Sequence, residues 1–314
     1  MMRQFETPGA VRLFVRNASG EIGIATHRMA TTEVGIRALT PASEEQAALT
    51  RVECTEESGE YRVLVDVPSP HRGLWLGDHG VEVLVKVPEG AWLDLTGSSA
   101  DVIAEGRFAG GKIQTASGDI RLEHASGDLA VATASGDVTV YRAEAALKVR
   151  SAKGDISVHR AFGQLTLESE SGDIDVDSIE LGGRLRAASG DIQVGRMAGM
   201  LEAGTSSGDV TVREAYGDCR LGSRSGDLEI ESVRAGKVLV ETMSGDVTVG
   251  VSPGSRVSVD TQTRTGDLQS DIPLSSEPEP DNAEDASPLV TLQIRTLTGD
   301  VSITRGRLLS ANPG

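Results

Sequence analysis

The sequence is poor in aromatic residues, in cysteine and in long apolar runs. Aromatic side chains make up only 3% of its 314 residues, and the two cysteines are Cys54 and Cys219. Two distant cysteines outside any Cys-x-x-Cys spacing favour neither a disulfide framework nor a zinc site, and Cys219 occupies an aliphatic core position of the repeat. No stretch approaches the ~20 apolar residues of a membrane span, and the N-terminus lacks a signal-peptide core. We therefore expect a cytoplasmic protein without direct membrane insertion, for which peripheral envelope association stays open.

The charge is unbalanced, with a formal net charge of -17 at pH 7. An acidic surface repels nucleic acid and anionic membranes, so we expect no nucleic-acid partner. Basic proteins and cations fit the charge better. The sequence also lacks a dinucleotide-binding glycine motif before a helix and a phosphate-loop lysine.

Glycine is abundant by contrast, with 37 residues, and it recurs in the tripeptide Ser-Gly-Asp. Between Ala116 and Val249 this tripeptide returns at intervals of nine and then eighteen residues, with a slip of one residue before Ser244. The deeper unit is Ala-x-Gly-x-Φ-x-Φ-x-x, where Φ is aliphatic, and it persists where Ser-Gly-Asp is missing, as at Ala161–Leu167. A fixed short period of this kind marks a repeat architecture.

The unit predicts an all-β fold, a right-handed β-solenoid of roughly 18-residue coils, each made of two nine-residue units. Alternate residues of a strand face inward, so the aliphatic positions stack on their equivalents about 4.8 Å away. The tight corners require Ala and Gly. A two-walled coil fits one strand per unit, while a three-sided coil and an antiparallel meander stay open as alternatives.

The region before the repeat is predicted to cap it. Residues 1–95 read as alternating strands and one short helix over about 44–52, with Ser43 and Gln46 at capping-box spacing. The repeat region is expected over 96–306, with a disordered acidic loop at 275–288, and 307–314 form a tail.

The most conspicuous candidate site is a column of aspartates along one edge of the solenoid. One interpretation is structural: each carboxylate accepts N–H groups of its turn. The other is a cation edge, calcium in particular, because carboxylates and carbonyls are hard oxygen ligands. The column comprises Asp119, Asp137, Asp155, Asp173, Asp191, Asp209, Asp227 and Asp246.

Other chemistry is weakly indicated. His71, Asp78 and His79 share a loop with Trp75 but are too loosely spaced to predict a metal site. A triad could be drawn through His124 or His159 on almost any coil, because Ser and Asp are everywhere, so none is predicted. The outward positions are mixed and polar without an aromatic stripe, and Tyr141 and Tyr216 fall near corners. No catalytic residue, cofactor site or confident metal site is therefore assigned.

The whole pattern resembles a bacterial family of β-strand-repeat proteins labelled "putative adhesin". The resemblance rests on Phe5-Glu6-Thr7-Pro8-Gly9 leading into strands, on the run of Ser-Gly-Asp-Val-x-Val units, and on a last Thr298-Gly299-Asp300-Val301 unit after an acidic insertion. It covers nearly the whole chain. It implies a right-handed β-solenoid of bacterial origin with no catalytic residues to transfer.

Three functions follow as hypotheses. The first is a non-catalytic structural or interaction protein, adhesin-like or envelope-associated, that presents a rigid surface to an unknown protein or envelope partner or self-associates. The second is a calcium-dependent binding module that uses the Asp column. The third and most remote is a carbohydrate-active β-helix enzyme.

Overall fold

The computed structural model describes residues 1–69, 80–272 and 288–306, whose regular secondary structure is almost entirely β-strand. The chain divides into two compact units, Met1–Gly163 and Gln164–Gly314. Each unit is built from β-solenoid coils, so the predicted all-β solenoid is confirmed. The expected boundary between residues 95 and 96 falls inside one continuous strand, Trp92–Phe108.

The first unit contains thirteen strands and one α-helix among its described residues. In chain order they are β1 (Met2–Glu6), β2 (Ala10–His27), β3 (Thr31–Ala38), α1 (Glu44–Leu49), β4 (Arg51–Glu57), β5 (Glu60–Asp66), β6 (Val81–Pro88), β7 (Trp92–Phe108), β8 (Gly110–Gln114), β9 (Ile120–Ala125), β10 (Leu129–Thr133), β11 (Val138–Ala143), β12 (Leu147–Ser151) and β13 (Ile156–Ala161).

From β7 to β13, each coil of this unit contributes two strand segments that pair in parallel with their equivalents eighteen residues away. Val138 of β11 pairs with Ile120 of β9 and with Ile156 of β13. On the other wall, Leu129 of β10 pairs with Leu147 of β12. The coil is therefore two-walled. The three-sided coil is wrong because a coil has two strands, and the antiparallel meander is wrong because the repeat strands run parallel.

The core consists of the stacked aliphatic side chains that the repeat predicted to face inward. Val138 and Val140 are both 0% exposed, as are Ile120 and Leu122 in the coil below. Cys219, in the second unit, takes an aliphatic position of the same kind, as expected, and burial raises the pKa of its thiol to about 12.

At the N-terminal end the order of the strands in space differs from their order in the chain. The first half of β2 pairs in parallel with β5 and the second half with β6, while both halves pair with β7 on the opposite side. Beyond them, β4 lies antiparallel on β5, β3 on β6, and β1 on β3. These antiparallel strands are the predicted cap, and they cover the outermost coil of the unit.

The short helix exists but is shorter than predicted. It ends at Leu49 rather than near Val52, because Arg51 already begins β4 and Val52 is buried on β5. The predicted cap also differs: the Ser43 hydroxyl donates to the Thr40 carbonyl at 2.9 Å and accepts from the Thr40 N–H at 3.1 Å. Ser43 therefore closes the 3-10 turn Pro41–Ser43 that precedes the helix.

The second unit contains fourteen strands among its described residues. They are β14 (Gln164–Ser169), β15 (Ile174–Ile179), β16 (Gly182–Ala187), β17 (Ile192–Met197), β18 (Met200–Thr205), β19 (Val210–Ala215), β20 (Cys219–Ser225), β21 (Leu228–Val233), β22 (Gly236–Ser244), β23 (Val247–Val251), β24 (Arg256–Thr265), β25 (Leu268–Ser270), β26 (Leu289–Thr298) and β27 (Val301–Arg305).

The C-terminal end of this unit is also stacked out of chain order. Parallel pairing steps by eighteen residues up to β20 and β21, then by nineteen onto β22 and β23, where the sequence slips by one. The next coil is formed by β26 and β27, and β24 and β25 stack outside it. The last segment of the described chain therefore lies between two coils that precede it in sequence.

Several predicted features lie outside the described residues. They are the loop with His71, Trp75, Asp78 and His79, the acidic loop as far as residue 287, and the tail 307–314. Within the described ranges, no helix has both the length and the apolar character that a membrane crossing requires.

Candidate functional site

The glycines of the Ser-Gly-Asp corners stack directly on one another. A Cβ atom added to Gly190 would lie 2.1 Å from the carbonyl oxygen of Gly172, one coil away. At Gly208 and Gly226 the corresponding distances to Gly190 and Gly208 are 2.3 and 2.0 Å. No real Cβ approaches a backbone oxygen this closely, so the corner can close only on glycine.

The predicted aspartates form a ladder beside these glycines. In the second unit the backbone N–H of Asp209 donates to Oδ1 of Asp191 at 2.9 Å, and the N–H of Asp227 donates to Oδ1 of Asp209 at 2.8 Å. The ladder continues through the out-of-order coils, from Asp300 to Asp246 and from Asp267 to Asp300, each at 2.8 Å. Each carboxylate thus satisfies an N–H that the corner leaves without a strand partner.

The first unit repeats the arrangement from Asp101 through Asp119 and Asp137 to Asp155, at 2.9–3.0 Å. The structural interpretation of the Asp column therefore holds, with one correction. The carboxylate accepts from the aspartate N–H one coil further on, rather than from its own turn. Asp218 does the same at the opposite corner, where its Oδ1 accepts the Lys237 N–H at 2.8 Å.

The ladder predicts the effect of removing one carboxylate. Asp209→Ala should lower the free energy of unfolding by about 1.5 kcal/mol, because the Asp227 N–H loses a charged acceptor that water replaces only in part. Asp209→Asn, which keeps a carbonyl oxygen and removes one of a row of like charges, should stay within about 0.5 kcal/mol of the wild type. Urea unfolding of both variants checks this. Equal losses for the two variants would contradict the ladder.

Calcium binding to the Asp column stays a prediction. The described residues contain no group of three or more His, Cys, Asp or Glu side chains arranged to hold a metal ion. A calcium titration followed by thermal melting separates the alternatives: a rise in melting temperature at millimolar calcium would support the cation edge, and an unchanged one would support the purely structural column.

A second polar column, which we call the hydroxyl column, was not predicted from the sequence. A buried Ser or Thr stands three residues before most corner glycines and bonds to the backbone of a corner. Thr133 Oγ1 accepts the Gly136 N–H at 3.0 Å, Ser169 Oγ accepts the Gly172 N–H at 2.9 Å, and Thr205 Oγ1 donates to the Gly190 carbonyl at 3.1 Å. Its signal was present in the sequence as a hydroxyl residue recurring every eighteen positions inside a buried column.

His124 and His159, the two histidines through which a catalytic triad could be drawn, lie on the first unit in different surroundings. His159 stacks on Tyr141 with ring centroids 4.8 Å apart. Nε2 of His124 lies 3.1 Å from Oε1 of Glu144, although the two atoms do not meet hydrogen-bond geometry. Desolvation raises the pKa of Glu144, but the hydrogen bond from Arg142 and the charges of His124 and Arg107 outweigh it, so the net shift is downward.

One wall of the second unit carries a chain of ion pairs across neighbouring coils. Glu202 binds Arg186 at 3.1 Å and Arg184 at 2.9 Å, and the hydrogen bond from Arg186 is the largest of the causes that lower its pKa. Further along, Glu241 lies 3.3 Å from Arg220 and 3.5 Å from Arg295. Exposed ion pairs of this kind contribute little to the free energy of unfolding. We therefore describe this wall as a charged surface and not as a source of stability.

The corner changes in the last three coils of this wall. Strands β22, β26 and β24 continue through the hydroxyl column to Ser244, Thr298 and Thr265, and Thr298 pairs with the other two. Strand β20 already runs past the column in the same way, to Ser225, which pairs with Ser244. The glycines that follow, Gly245, Gly299 and Gly266, take φ values of 144°, 141° and 143°, which favour glycine over any other residue.

This change leaves the hydroxyl column without its usual bonds. The Oγ1 atoms of Thr242, Thr263 and Thr296 are buried and have no hydrogen-bond partner among the described residues. The corner is held instead by the next hydroxyl along, since Thr298 Oγ1 donates to the Met243 carbonyl at 3.0 Å and Thr265 Oγ1 to the Leu297 carbonyl at 2.9 Å.

A groove of about 520 Å³ opens over these three strands. One side is a polar row in which Glu241 and Arg295 are charged and Gln262 is neutral. The other side, two residues further along each strand, contains Met243 and Leu297, which are 51% and 43% exposed. We call this feature the C-terminal groove. It is lined by Ser223, Glu241, Thr242, Met243, Gln262, Thr263, Arg264, Arg295, Thr296 and Leu297.

Parallel two-strand coils, stacked glycine corners and a laddered carboxylate edge define a β-solenoid repeat protein. The chain belongs to the Toastrack DUF4097 family, whose model matches residues 10–162 and again residues 145–304. This confirms the resemblance at the level of the family. The comparison concerns the family and does not bear on the Ser-Gly-Asp-Val motif as such.

Three bacterial proteins of low identity are among the solved structures that the chain matches. A "putative cell adhesion protein" from Clostridium sporogenes is 11% identical, with 97% of this chain and 98% of that chain covered and a TM-score of 0.25. A "putative adhesin" from Bacteroides fragilis is 12% identical, with 96% of each chain covered and a TM-score of 0.29. A "putative lipid binding protein" from Parabacteroides distasonis is 12% identical, with 98% and 96% covered and a TM-score of 0.27. At these scores the likeness supports no functional argument, and no curated protein matches the chain.

Proposed function

We propose that the protein is a non-catalytic interaction scaffold that binds an extended segment of a partner protein in the C-terminal groove. The observation that carries the proposal is the mixed lining of this groove. Exposed Met243 and Leu297 lie beside the polar row that contains Glu241 and Arg295, and the backbone between them is fixed by pairing on both sides of β26.

The dimensions of the groove suit an extended chain better than a compact ligand. It crosses three strands, which are about 4.8 Å apart, and its two rows are about 7 Å apart along each strand. Apolar side chains of the segment would contact Met243 and Leu297, while Glu241 and Arg295 would contact its polar groups. The strands that line the groove are already held by their pairing. The protein therefore loses little conformational entropy when the segment binds.

Several features of the groove argue for binding rather than for packing. Isolated exposed apolar residues are ordinary, but here two of them lie on neighbouring strands beside a concave surface. The hydroxyls of Thr242 and Thr296, for which the described part of the chain supplies no hydrogen-bond partner, line the same groove. An envelope-associated or adhesin-like role is one setting for such a scaffold, and the cytoplasmic location stays a prediction that cell fractionation tests.

A peptide selection tests this proposal directly. A phage library of random heptapeptides is panned on the full chain alone, and the selected peptides are then measured on the Met243→Ser/Leu297→Ser double variant, whose changes fall on exposed side chains. Selected peptides should bind the double variant at least tenfold more weakly than the wild type.

A matched control uses Leu181 and Met200, which belong to the same unit and are 56% and 63% exposed. The Leu181→Ser/Met200→Ser variant should bind the selected peptides as the wild type does. Peptides that bind all three proteins equally, or a panning that enriches none, would overturn the groove as the binding surface.

A further inference from the structure

We propose that two copies of the chain associate through β24, which forms a two-fold antiparallel pair with β24 of the second copy. The proposal concerns the outer edge of β24 at the end of the stack and does not depend on peptide binding, although Gln262, Thr263 and Arg264 of this strand also line the C-terminal groove. It commits to a dimer with a stated register rather than to a filament.

Within the described residues, no strand covers the end of the core next to β24 and β25. Val257 and Val259 are half-buried, whereas Val290 and Leu292, with which they pair on β26, are 0% exposed. Leu268 of β25 is 44% exposed, whereas its partner Val301 is 1% exposed.

The outer edge of β24 pairs with no strand among the described residues, so its outward N–H and C=O groups can accept another strand. The first unit differs, because antiparallel β3 and β4 cover its outermost coil. An open edge with partly exposed apolar residues beneath it is a surface that another strand would complete.

The charges of β24 are self-complementary under a two-fold axis. If two copies pair antiparallel about Gln262, Asp260 of each copy lies opposite Arg264 of the other. Both residues are exposed in the single chain. Opposite charges placed directly across an antiparallel pair stabilise it, and like charges destabilise it. The same register therefore creates two reciprocal ion pairs.

The hydroxyls of β24 fit the same register. Pairing about Gln262 also places Thr261 of each copy opposite Thr263 of the other. The Oγ1 atoms of both threonines are buried and lack a hydrogen-bond partner among the described residues. Cross-strand Thr–Thr pairs form such hydrogen bonds. Two independent features, the charges and the hydroxyls, thus select one register and one partner, a second copy of this chain.

Sedimentation velocity of the full chain over a concentration series tests the dimer. The wild type should show a reversible monomer–dimer equilibrium. Asp260→Arg places an arginine opposite Arg264, and Arg264→Asp places an aspartate opposite Asp260, so each single variant should dimerise at least tenfold more weakly.

An equimolar mixture of the two single variants tests the proposed register most directly. Only an antiparallel register that opposes positions 260 and 264 brings the arginine introduced by Asp260→Arg in one chain to the aspartate introduced by Arg264→Asp in the other. The same register pairs the unchanged Arg264 of the first chain with the unchanged Asp260 of the second. The mixture should therefore recover a dimer close to wild-type strength, while circular dichroism confirms that each variant is folded. A wild-type chain that stays monomeric, single variants that dimerise unchanged, or a mixture that fails to recover the dimer would each overturn the proposal.

Discussion

Gly190→Ala is expected to destabilise the protein by about 3 kcal/mol, because the new methyl group meets a backbone that cannot move away. Its Cβ would lie 2.1 Å from the Gly172 carbonyl oxygen and 2.6 Å from the carbonyl carbon. Relief would require separating two coils at the corner, which stretches the ladder bonds between Asp173, Asp191 and Asp209.

Gly222→Ala is the matched control for this change. Gly222 belongs to the same unit, and the nearest atom to an added Cβ there is the Glu241 carbonyl oxygen, at 3.8 Å. Because the site has room, this substitution should be neutral or stabilise the protein by up to about 1 kcal/mol through the unfolded state. Urea denaturation of both variants measures the contrast. A Gly190→Ala variant as stable as Gly222→Ala would show that the corners are not closed by glycine stacking.

Ile192→Ala is expected to lower the free energy of unfolding by a similar amount, about 3 kcal/mol. Ile192 is 0% exposed and stacks between Ile174 and Val210 on the neighbouring coils. These neighbours are fixed by their own ladders, so the cavity left by the side chain should remain largely open. The outward neighbour Gln193 is exposed, and Gln193→Ala should change stability by less than about 0.5 kcal/mol. Similar losses for the two variants would contradict the inward and outward assignment of β17.

The coil itself could be predicted from the sequence because its physics is local. A glycine, or an alanine as at Ala145, followed by two aliphatic positions at a spacing of two recurs in the nine-residue units, as in Gly127, Leu129 and Val131. Strand alternation and corner geometry then leave a short list of architectures. The role of Asp209 was half-predicted, since the hydrogen bond was expected but its donor one coil away was not.

The order of the coils at both ends could not be predicted for a physical reason. Each coil presents the same aliphatic positions and the same ladder to its neighbours. The sequence pattern of β26 therefore does not indicate that this strand lies between β22 and β24. β2 lies between strands that follow it in sequence, and β26 lies between strands that precede it. Both positions therefore depend on tertiary packing. Hypothetical coil orders with the same pattern would be indistinguishable in sequence.

The C-terminal groove was missed because it arises from a change within the repeat. Thr242, Thr263 and Thr296 have the residue type of the hydroxyl column, yet the strands run on past them and the glycines take positive φ. The only sequence signal is modest: Met243 and Leu297 occupy outward positions that elsewhere in the column hold residues such as Ala134, Ala152 and Ser206.

The central claim is that the Ser-Gly-Asp corners build the scaffold through the aspartate ladder. It is tested most directly by hydrogen exchange at the backbone amides of Asp191, Asp209 and Asp227 in calcium-free buffer. These amides lie in exposed corners, yet each donates to a carboxylate at 2.8–2.9 Å. The ladder predicts protection comparable to that of the interior amides of Val194 and Val212. Exchange at the rate of an open turn, or protection that develops only when calcium is added, would contradict it.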